Sequence, residues 1–175
     1  LKFKGNVLPY TSGQFTKVGL KINDELVSRP YSYVSSPGDD FLEIVYVNVP
    51  DGVLTPRLHE LKVGDKLFTM EKSSGFFVMS EVPDGKDLWM LATGTGLGVF
   101  ISLLKTKEPW DRFENIVLVH GVRKSNELIY QDQINEFNET NPGKFKYIKT
   151  VTREEKDDCL NLRIPAGIET KEIQK

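Results

Sequence analysis

The sequence is poor in the residues that build disulfide scaffolds and zinc sites. Its 175 residues include one cysteine, Cys159, and two histidines, His59 and His120, which lie far apart along the chain. A single cysteine excludes an internal disulfide and a cysteine-based metal site, and it suits a reducing compartment. Two distant histidines give no indication of zinc. We therefore expect a protein that holds no metal and in which Cys159 is an inert thiol.

The sequence also lacks a strong charge imbalance and a long apolar run. Its 23 basic and 25 acidic residues give a formal net charge of −2, which indicates no general affinity for nucleic acid or for an anionic membrane. The longest uncharged run, residues 88–104, is shorter than the ~20 residues of a membrane-spanning helix and contains three glycines. We expect a cytoplasmic, monomeric globular protein, and a fragment, because Leu1 stands in what looks like the middle of a strand.

Residues 1–84 show short β-like segments separated by turn residues, which predicts an antiparallel β-barrel domain. The predicted strands are residues 14–20, 29–34 and 41–49. The last of these is the richest in β-branched and aromatic residues. Thr55 and Pro56 have the residue types of a helix N-cap and a first helical position, so they predict a short helix that ends at Leu61.

Residues 85–175 alternate strands with helices, which predicts a second domain with a parallel sheet covered by helices. The predicted strands are residues 88–92, 116–122 and 145–151. One helix is expected to start at Val99, and another presents Tyr130, Ile134 and Phe137 on one face. The chain after residue 151 is charged and weakly patterned. We expect at least one further helix and one further strand of this domain to be missing from the sequence.

Ligands of an open parallel sheet bind at the carboxyl ends of its strands. The first predicted strand is followed by the loop Gly94-Thr95-Gly96-Leu97-Gly98. Glycines at that place let a phosphate or a flat ring approach the backbone, and the start of the next helix favours negative charge. Close packing of the helix on the strand is the alternative explanation of these glycines.

An NAD site would have Asp or Glu at the end of the second strand. This sequence has Arg123 there, directly after Val122, and it has Arg153 after the third strand and Arg163 further on. Guanidinium groups bind phosphate through paired hydrogen bonds, so three arginines near one sheet edge predict a site for a 2′-phosphate. Each arginine taken singly is also explained as a solvated surface residue.

The segment RPYSYVSSP, residues 29–37, has a cation, Arg29, followed by two tyrosines between two prolines, and the prolines are typical of an edge strand. Arg29 could neutralise a pyrophosphate, and the helix start at Thr55 would offer free N–H groups to the same anion. Tyr31 lies on the same strand face as Arg29 and could lie beside an aromatic cofactor. A purely structural tyrosine of the barrel is the alternative.

These segments, with VPDGVLTPRL, GDKL, GFFV, LWMLATGTGLGVFISLL and NIVLVHGVRKSNELIY, resemble the bacterial branch of the ferredoxin/flavodoxin–NADP reductase family over essentially the whole chain. The resemblance implies an FAD-binding β-barrel followed by an NADP-binding α/β domain. It also implies electron transfer between NADP(H) and a transiently bound ferredoxin or flavodoxin through FAD. The family's Cys-Gly-x-Pro motif, aromatic C-terminus and first barrel strand are absent, so we expect a copy that is incomplete at both ends.

The resemblance also assigns site residues. In its Arg-x-Tyr-Ser signature, Arg29 would bind the FAD phosphates, Tyr31 the isoalloxazine ring and Ser32 the N5 edge, where the reaction takes place. Further FAD positions comprise a flavin-lining strand and a pyrophosphate segment, namely Tyr46, Val47 and Asn48, then Val53, Leu54 and Thr55. The nicotinamide and NADP positions are Gly94, Thr95, Gly96, Val122, Arg123, Thr152, Arg153 and Arg163.

Two other functions are compatible with the sequence. A reductase component of an oxygenase, or an enzyme that reduces free flavins, would share every motif named above. A non-catalytic binding or scaffold domain would keep the fold without the flavin.

Overall fold

A computed structural model describes residues 1–5 and 9–174. Contacts divide the chain into two compact units. The first unit is Leu1–Val82, and the second begins at Pro83, two residues before the second domain predicted from the sequence.

Antiparallel sheets form the first unit, as predicted. Its elements in chain order are β1 (Lys2–Phe3), β2 (Phe15–Ile22), β3 (Glu25–Ser32), β4 (Leu42–Glu43), α1 (Thr55–Glu60) and β5 (Phe68–Thr69). Strands β1 and β4 pair in one sheet, and a second sheet has the order β3-β2-β5. A bridge between Tyr33 and Ile44 connects the segment after β3 with the segment after β4.

A tight hairpin joins β2 to β3 and places β3 at a sheet edge. Asn23 and Asp24 form its turn with φ values of 50° and 66°, as a type I′ turn requires. The pairing runs from Ile22 opposite Glu25 to Phe15 opposite Ser32. The edge strand predicted from the prolines of residues 29–37 is therefore confirmed.

The predicted strand at residues 41–49 is wrong over most of its length. Only Leu42–Glu43 form a strand, and Ile44 adds the single bridge to Tyr33. Residues 45–49 are in no strand, and Val47 and Val49 are 65% and 51% exposed. The β-propensity of a segment is realised only against a neighbouring strand, and none among the described residues pairs with this segment.

The predicted helix at Thr55 is present, but Thr55 is not its N-cap. Helix α1 includes Thr55 as its first residue, Leu54 is the N-cap, and the helix ends at Glu60. The Thr55 hydroxyl accepts a hydrogen bond from the Val49 N–H at 3.0 Å instead of bonding the first helical turn. Because Leu54 has no side-chain oxygen, the helix start has no side-chain cap.

The second unit contains the predicted parallel sheet, in the order β6-β7-β8. Its elements are β6 (Asp87–Thr93), α2 (Leu97–Leu104), α3 (Glu108–Arg112), β7 (Asn115–Val122), α4 (Gln131–Thr140), β8 (Phe145–Val151) and α5 (Ile164–Glu169). Helix α2 starts two residues before Val99, and β8 has the bounds that the sequence predicts. The central strand β7 is buried on both faces, as expected for a covered parallel strand.

The segment after β8 is more ordered than its weak pattern indicates. It contains α5 and contributes Ile164 and Ile173 to a buried cluster with Val117, Val119 and Ile148 of the sheet. A few well-spaced apolar residues therefore suffice to attach this charged, weakly patterned segment to the face of the sheet.

Candidate functional site

Arg29 lies on the edge strand β3 with its guanidinium exposed. Its Nη1 donates to the carbonyl of the preceding residue, Ser28, at 2.8 Å. Within residues 1–5 and 9–174, its side chain makes no ion pair with a carboxylate. The remaining N–H groups are therefore available to an anionic ligand. Ser32, at the end of the same strand, is exposed, and its hydroxyl bonds no other described residue.

Tyr31 and Tyr46 come together from two different segments. Their ring centroids are 6.2 Å apart at an interplanar angle of 65°, an edge-to-face contact. Both are half-buried and pack against a cluster that includes Leu54. Burial raises the pKa of both phenols, and for Tyr31 the neighbouring Tyr46 raises it further. The structure thus joins three sequence-predicted FAD residues, each in a partly structural role.

The loop before α1 is held by backbone and hydroxyl bonds. Gly52 N–H donates to the Val49 carbonyl at 2.8 Å, beside the bond from Val49 N–H to the Thr55 hydroxyl. The predicted residues Asn48 and Val53 are exposed, like Val47, whereas the Leu54 side chain is only 4% exposed. A role of Leu54 in binding must therefore use its backbone.

The glycine loop after β6 has an open surface. Gly94 has φ of +51°, in the region that favours glycine, and residues Gly94–Gly96 form a 3₁₀ turn before α2. A Cβ built on Gly94 or Gly96 would meet no atom within 4 Å. Tight packing of helix on strand therefore does not explain these two glycines. The space fits a ligand that approaches the backbone, with the half-buried Thr95 between the two glycines.

His120 fixes the glycine loop from inside the sheet. It is fully buried in β7, and its Nε2 lies 3.0 Å from the Gly94 carbonyl oxygen. Because a carbonyl only accepts, Nε2 carries the proton, and Nδ1 accepts from the Tyr147 hydroxyl at 3.3 Å. Gln131 Nε2 donates to the same hydroxyl at 3.1 Å. This role of His120 was not predicted from the sequence, where His120 was weighed only as a zinc ligand, although a polar ring within the apolar run IVLVHGV is a signal for a buried hydrogen-bonding role.

Arg123 and Arg153 lie side by side at the carboxyl ends of β7 and β8. The Arg153 N–H donates to the Arg123 carbonyl at 2.9 Å, and the Thr152 N–H donates to it at 3.3 Å. Both arginine side chains are exposed and make no hydrogen bond or ion pair with the described part of the chain. The predicted residue Val122 is buried in the sheet, so its side chain is not available to a ligand.

Arg163 belongs to the same edge of the sheet. Arg163 directly precedes Ile164, the first residue of α5. The Ile164 side chain lies 3.1 Å from the position that a Cβ on Gly121 would occupy, and Gly121 is near the end of β7. The Arg163 guanidinium is exposed and makes no ion pair within the described ranges. The topology therefore brings the three sequence-predicted arginines to one sheet edge.

Two findings concern classes of site that the described residues do not form. No helix among them is long and apolar enough to span a membrane. No group of three or more His, Cys, Asp or Glu side chains within residues 1–5 and 9–174 is arranged to hold a metal ion.

Two different protein-family models match the two parts of the chain. A model of an oxidoreductase FAD-binding domain matches residues 1–77, and a model of an oxidoreductase NAD-binding domain matches residues 90–171. The first match contains Arg29 and the paired tyrosines, and the second contains the glycine loop and the three arginines.

Individual relatives are similar over nearly the whole chain. A flavodoxin/ferredoxin–NADP reductase of Shigella flexneri is 48% identical over 168 residues, which are 96% of this chain and 68% of that protein. The protein of the same name from Escherichia coli (strain K12) is 47% identical with the same coverage. A crystal structure of a ferredoxin NADP+ reductase from Neisseria gonorrhoeae with bound FAD and NADP has a TM-score of 0.88 and 31% identity. The match covers 94% of this chain and 66% of the Neisseria gonorrhoeae chain.

Proposed function

This chain belongs to the flavodoxin/ferredoxin–NADP reductase family, and we propose that the complete protein transfers electrons between NADPH and a ferredoxin or flavodoxin through FAD. The chain spans 68% of the length of the two relatives named above. Bound FAD supplies the hydride chemistry with nicotinamide and the single-electron chemistry with the carrier, and the protein binds and orients the reactants.

The first unit has groups that fit FAD. Arg29 presents N–H donors without a carboxylate partner, so it can hold a phosphate group. Tyr31 and Tyr46 present half-buried rings beside which a flat, apolar ring system could pack. The free hydroxyl of Ser32 lies one residue beyond Tyr31, where it could donate to a ring nitrogen. We propose that these residues orient the flavin, and that Val47, Asn48, Val53 and Thr55 line the same site.

The second unit has groups that fit NADP(H). The single observation that carries the proposal is the open glycine loop followed, at the ends of the next two strands, by arginines without acidic partners. Arg123 occupies the place where an acidic residue would bind a 2′-hydroxyl and repel a 2′-phosphate. Arg153 and Arg163 add two further cations. We propose that these arginines bind the 2′-phosphate and that Thr95 lies near the nicotinamide.

An anaerobic titration of the flavin tests the function directly. The complete protein should show a flavin spectrum, and NADPH should bleach it at a much lower concentration than NADH does. Reduced protein should then pass electrons to ferredoxin or flavodoxin. Oxidation of NADPH without transfer to either carrier would favour a reductase component of an oxygenase or a free-flavin reductase. A colourless protein that cannot be reconstituted with FAD would favour a scaffold.

A double variant tests the 2′-phosphate site. Arg153→Ala with Arg163→Ala should raise KM for NADPH by about tenfold or more, because charge-assisted hydrogen bonds to the phosphate are lost, and should change KM for NADH little. Lys146→Ala is the matched control, since it removes an exposed cation from the same strand, β8, away from its carboxyl end. Equal effects on both dinucleotides would contradict the assignment.

We further propose a cytoplasmic monomer that binds its carrier transiently. The single cysteine, which cannot form an internal disulfide, supports a reducing compartment. Burial raises the pKa of the Cys159 thiol, which disfavours the reactive thiolate. Sedimentation of the complete protein with and without carrier would test the oligomeric state.

A further inference from the structure

Two glutamates lie beside the arginines of the proposed 2′-phosphate site. The Glu127 carboxylate accepts hydrogen bonds from the Arg123 N–H at 2.8 Å and from the Lys124 N–H at 3.1 Å, both through Oε2. These backbone bonds, with the charges of Arg123 and Arg153, lower the pKa of Glu127. The carboxylate is therefore ionised at neutral pH and closes the loop that follows β7.

The second glutamate connects that loop to the loop after β8. Glu154 Oε1 accepts a hydrogen bond from the Ser125 N–H at 2.5 Å. A second hydrogen bond joins the same two loops with donor and acceptor reversed. In it, the Arg153 N–H of the loop after β8 donates to the Arg123 carbonyl of the loop after β7. Hydrogen bonds at both ends therefore hold the two arginine-bearing loops against each other.

Acidic residues at this place are unexpected if charge alone governs the site. A carboxylate that lies near the guanidinium groups opposes the binding of a doubly charged phosphate. Neither glutamate makes an ion pair with Arg123 or Arg153 within the described residues. Both bond backbone N–H groups instead, so each contributes geometry to the site in addition to its charge.

We propose that Glu127 and Glu154 are positioning residues for recognition of the 2′-phosphate. They fix the backbone from which Arg123 and Arg153 extend, so that both guanidinium groups reach one phosphate without a search through loop conformations. The inference rests on the proposed function, because it assumes that these arginines bind the phosphate. It adds two anionic residues whose removal should weaken the binding of an anion.

The direction of the change in affinity for 2′-phospho-AMP distinguishes a positioning role of the glutamates from an effect of their charge. Glu127→Ala removes the acceptor of two N–H groups, and we expect 2′-phospho-AMP to bind about tenfold more weakly, the equivalent of one well-made hydrogen bond. Glu127→Gln keeps an acceptor oxygen and removes the negative charge, so it should bind this ligand as tightly as the wild type or more tightly. Glu154→Ala and Glu154→Gln should behave in the same way.

Isothermal titration calorimetry on the complete, FAD-loaded protein measures these affinities without turnover, with 2′-phospho-AMP and 5′-AMP as probes. Glu139→Ala is the matched control, because Glu139 is an exposed carboxylate of α4 that bonds no other described residue. Unchanged or tighter binding of 2′-phospho-AMP by Glu127→Ala would overturn the positioning role. A wild type that binds both probes equally would instead overturn the NADP assignment, and this inference with it.

Discussion

Acidification should destabilise the second unit through His120. Burial lowers the pKa of His120 below its ordinary value of 6.5, and the bond to the Gly94 carbonyl offsets this only partly. Between the lowered pKa and 6.5, the folded protein keeps a neutral ring while the unfolded chain takes up a proton. The unfolded state binds more protons in this window, so the free energy of unfolding falls as the pH falls below 6.5 and is constant above it with respect to this group.

The hydrogen bonds of His120 show why it is unfavourable to add a second proton to the ring, on Nδ1. Nδ1 accepts from the Tyr147 hydroxyl, whose other contact is a hydrogen bond donated by Gln131. If Nδ1 carried a proton, it and Gln131 would both donate to the Tyr147 oxygen. The Tyr147 O–H would then have lost its acceptor. Burial raises the pKa of Tyr147 to about 12, so the phenol cannot remove the conflict by ionising.

The magnitude follows from linkage. If the folded ring stays neutral, the free energy of unfolding falls by about 1.4 kcal/mol at one pH unit below 6.5. With a urea m-value of about 1–3 kcal/mol/M, the midpoint should shift by roughly 0.5–1.4 M. Both tryptophans, Trp89 and Trp110, lie in the same unit as His120, so tryptophan fluorescence reports its unfolding.

The assay compares urea midpoints at pH 7.5 and 5.5 for the wild type and two variants. His120→Gln should show a smaller midpoint shift than the wild type, because its side chain does not titrate. His59→Gln is the matched control and should retain the wild-type shift, since His59 is exposed on α1 of the other unit. An identical shift in the wild type and in His120→Gln would refute the reasoning.

Two substitutions, one in each unit, test the packing. Gly13→Ala should lower the free energy of unfolding of the first unit by roughly 2 kcal/mol or more, because Gly13 has φ of +97° and its Cβ would lie 1.8 Å from the Phe77 carbonyl oxygen. Circular dichroism follows this unit, which has no tryptophan, and a urea midpoint equal to that of the wild type would contradict the prediction. Leu118→Ala should cost about 2–5 kcal/mol by the same measurement, since Leu118 is fully buried in the central strand, and a loss below about 1 kcal/mol would show that the cavity had collapsed.

The central strand of the parallel sheet, β7, could be predicted from the sequence because a strand that is buried on both faces is a continuous apolar run. Strand β8 has the predicted bounds, and β7 begins one residue before its prediction. The prediction of a strand over residues 41–49 was wrong because composition alone was its basis. The composition of this segment favours a strand, but residues 45–49 have no pairing partner among the described residues, and composition does not reveal whether a partner exists.

The positions of candidate site residues could be predicted where the strand order alone determines them. Hydrogen bonds made by side chains between distant segments could not be predicted. Arg123 and Arg153 follow successive parallel strands, so the sheet alone predicts that they are neighbours. The contact of His120 with Gly94 joins positions 26 residues apart through an imidazole, and the bond from Ser125 to Glu154 joins positions 29 apart. Such side-chain contacts depend on rotamers and loop paths that no periodic pattern encodes.

The position of Pro30 on the edge strand β3 bears on how the protein avoids aggregation. Tyr33 N–H donates to the carbonyl of Gln14, the residue before β2. Since donors alternate along a strand, the nitrogen of Pro30 faces away from β2. A foreign strand that approached this outer edge would find a donor missing at its centre, between Ser28 and Ser32. The segment that carries Arg29 and Tyr31 is thus a poor template for intermolecular sheet growth, and its edge can remain open to solvent and ligands.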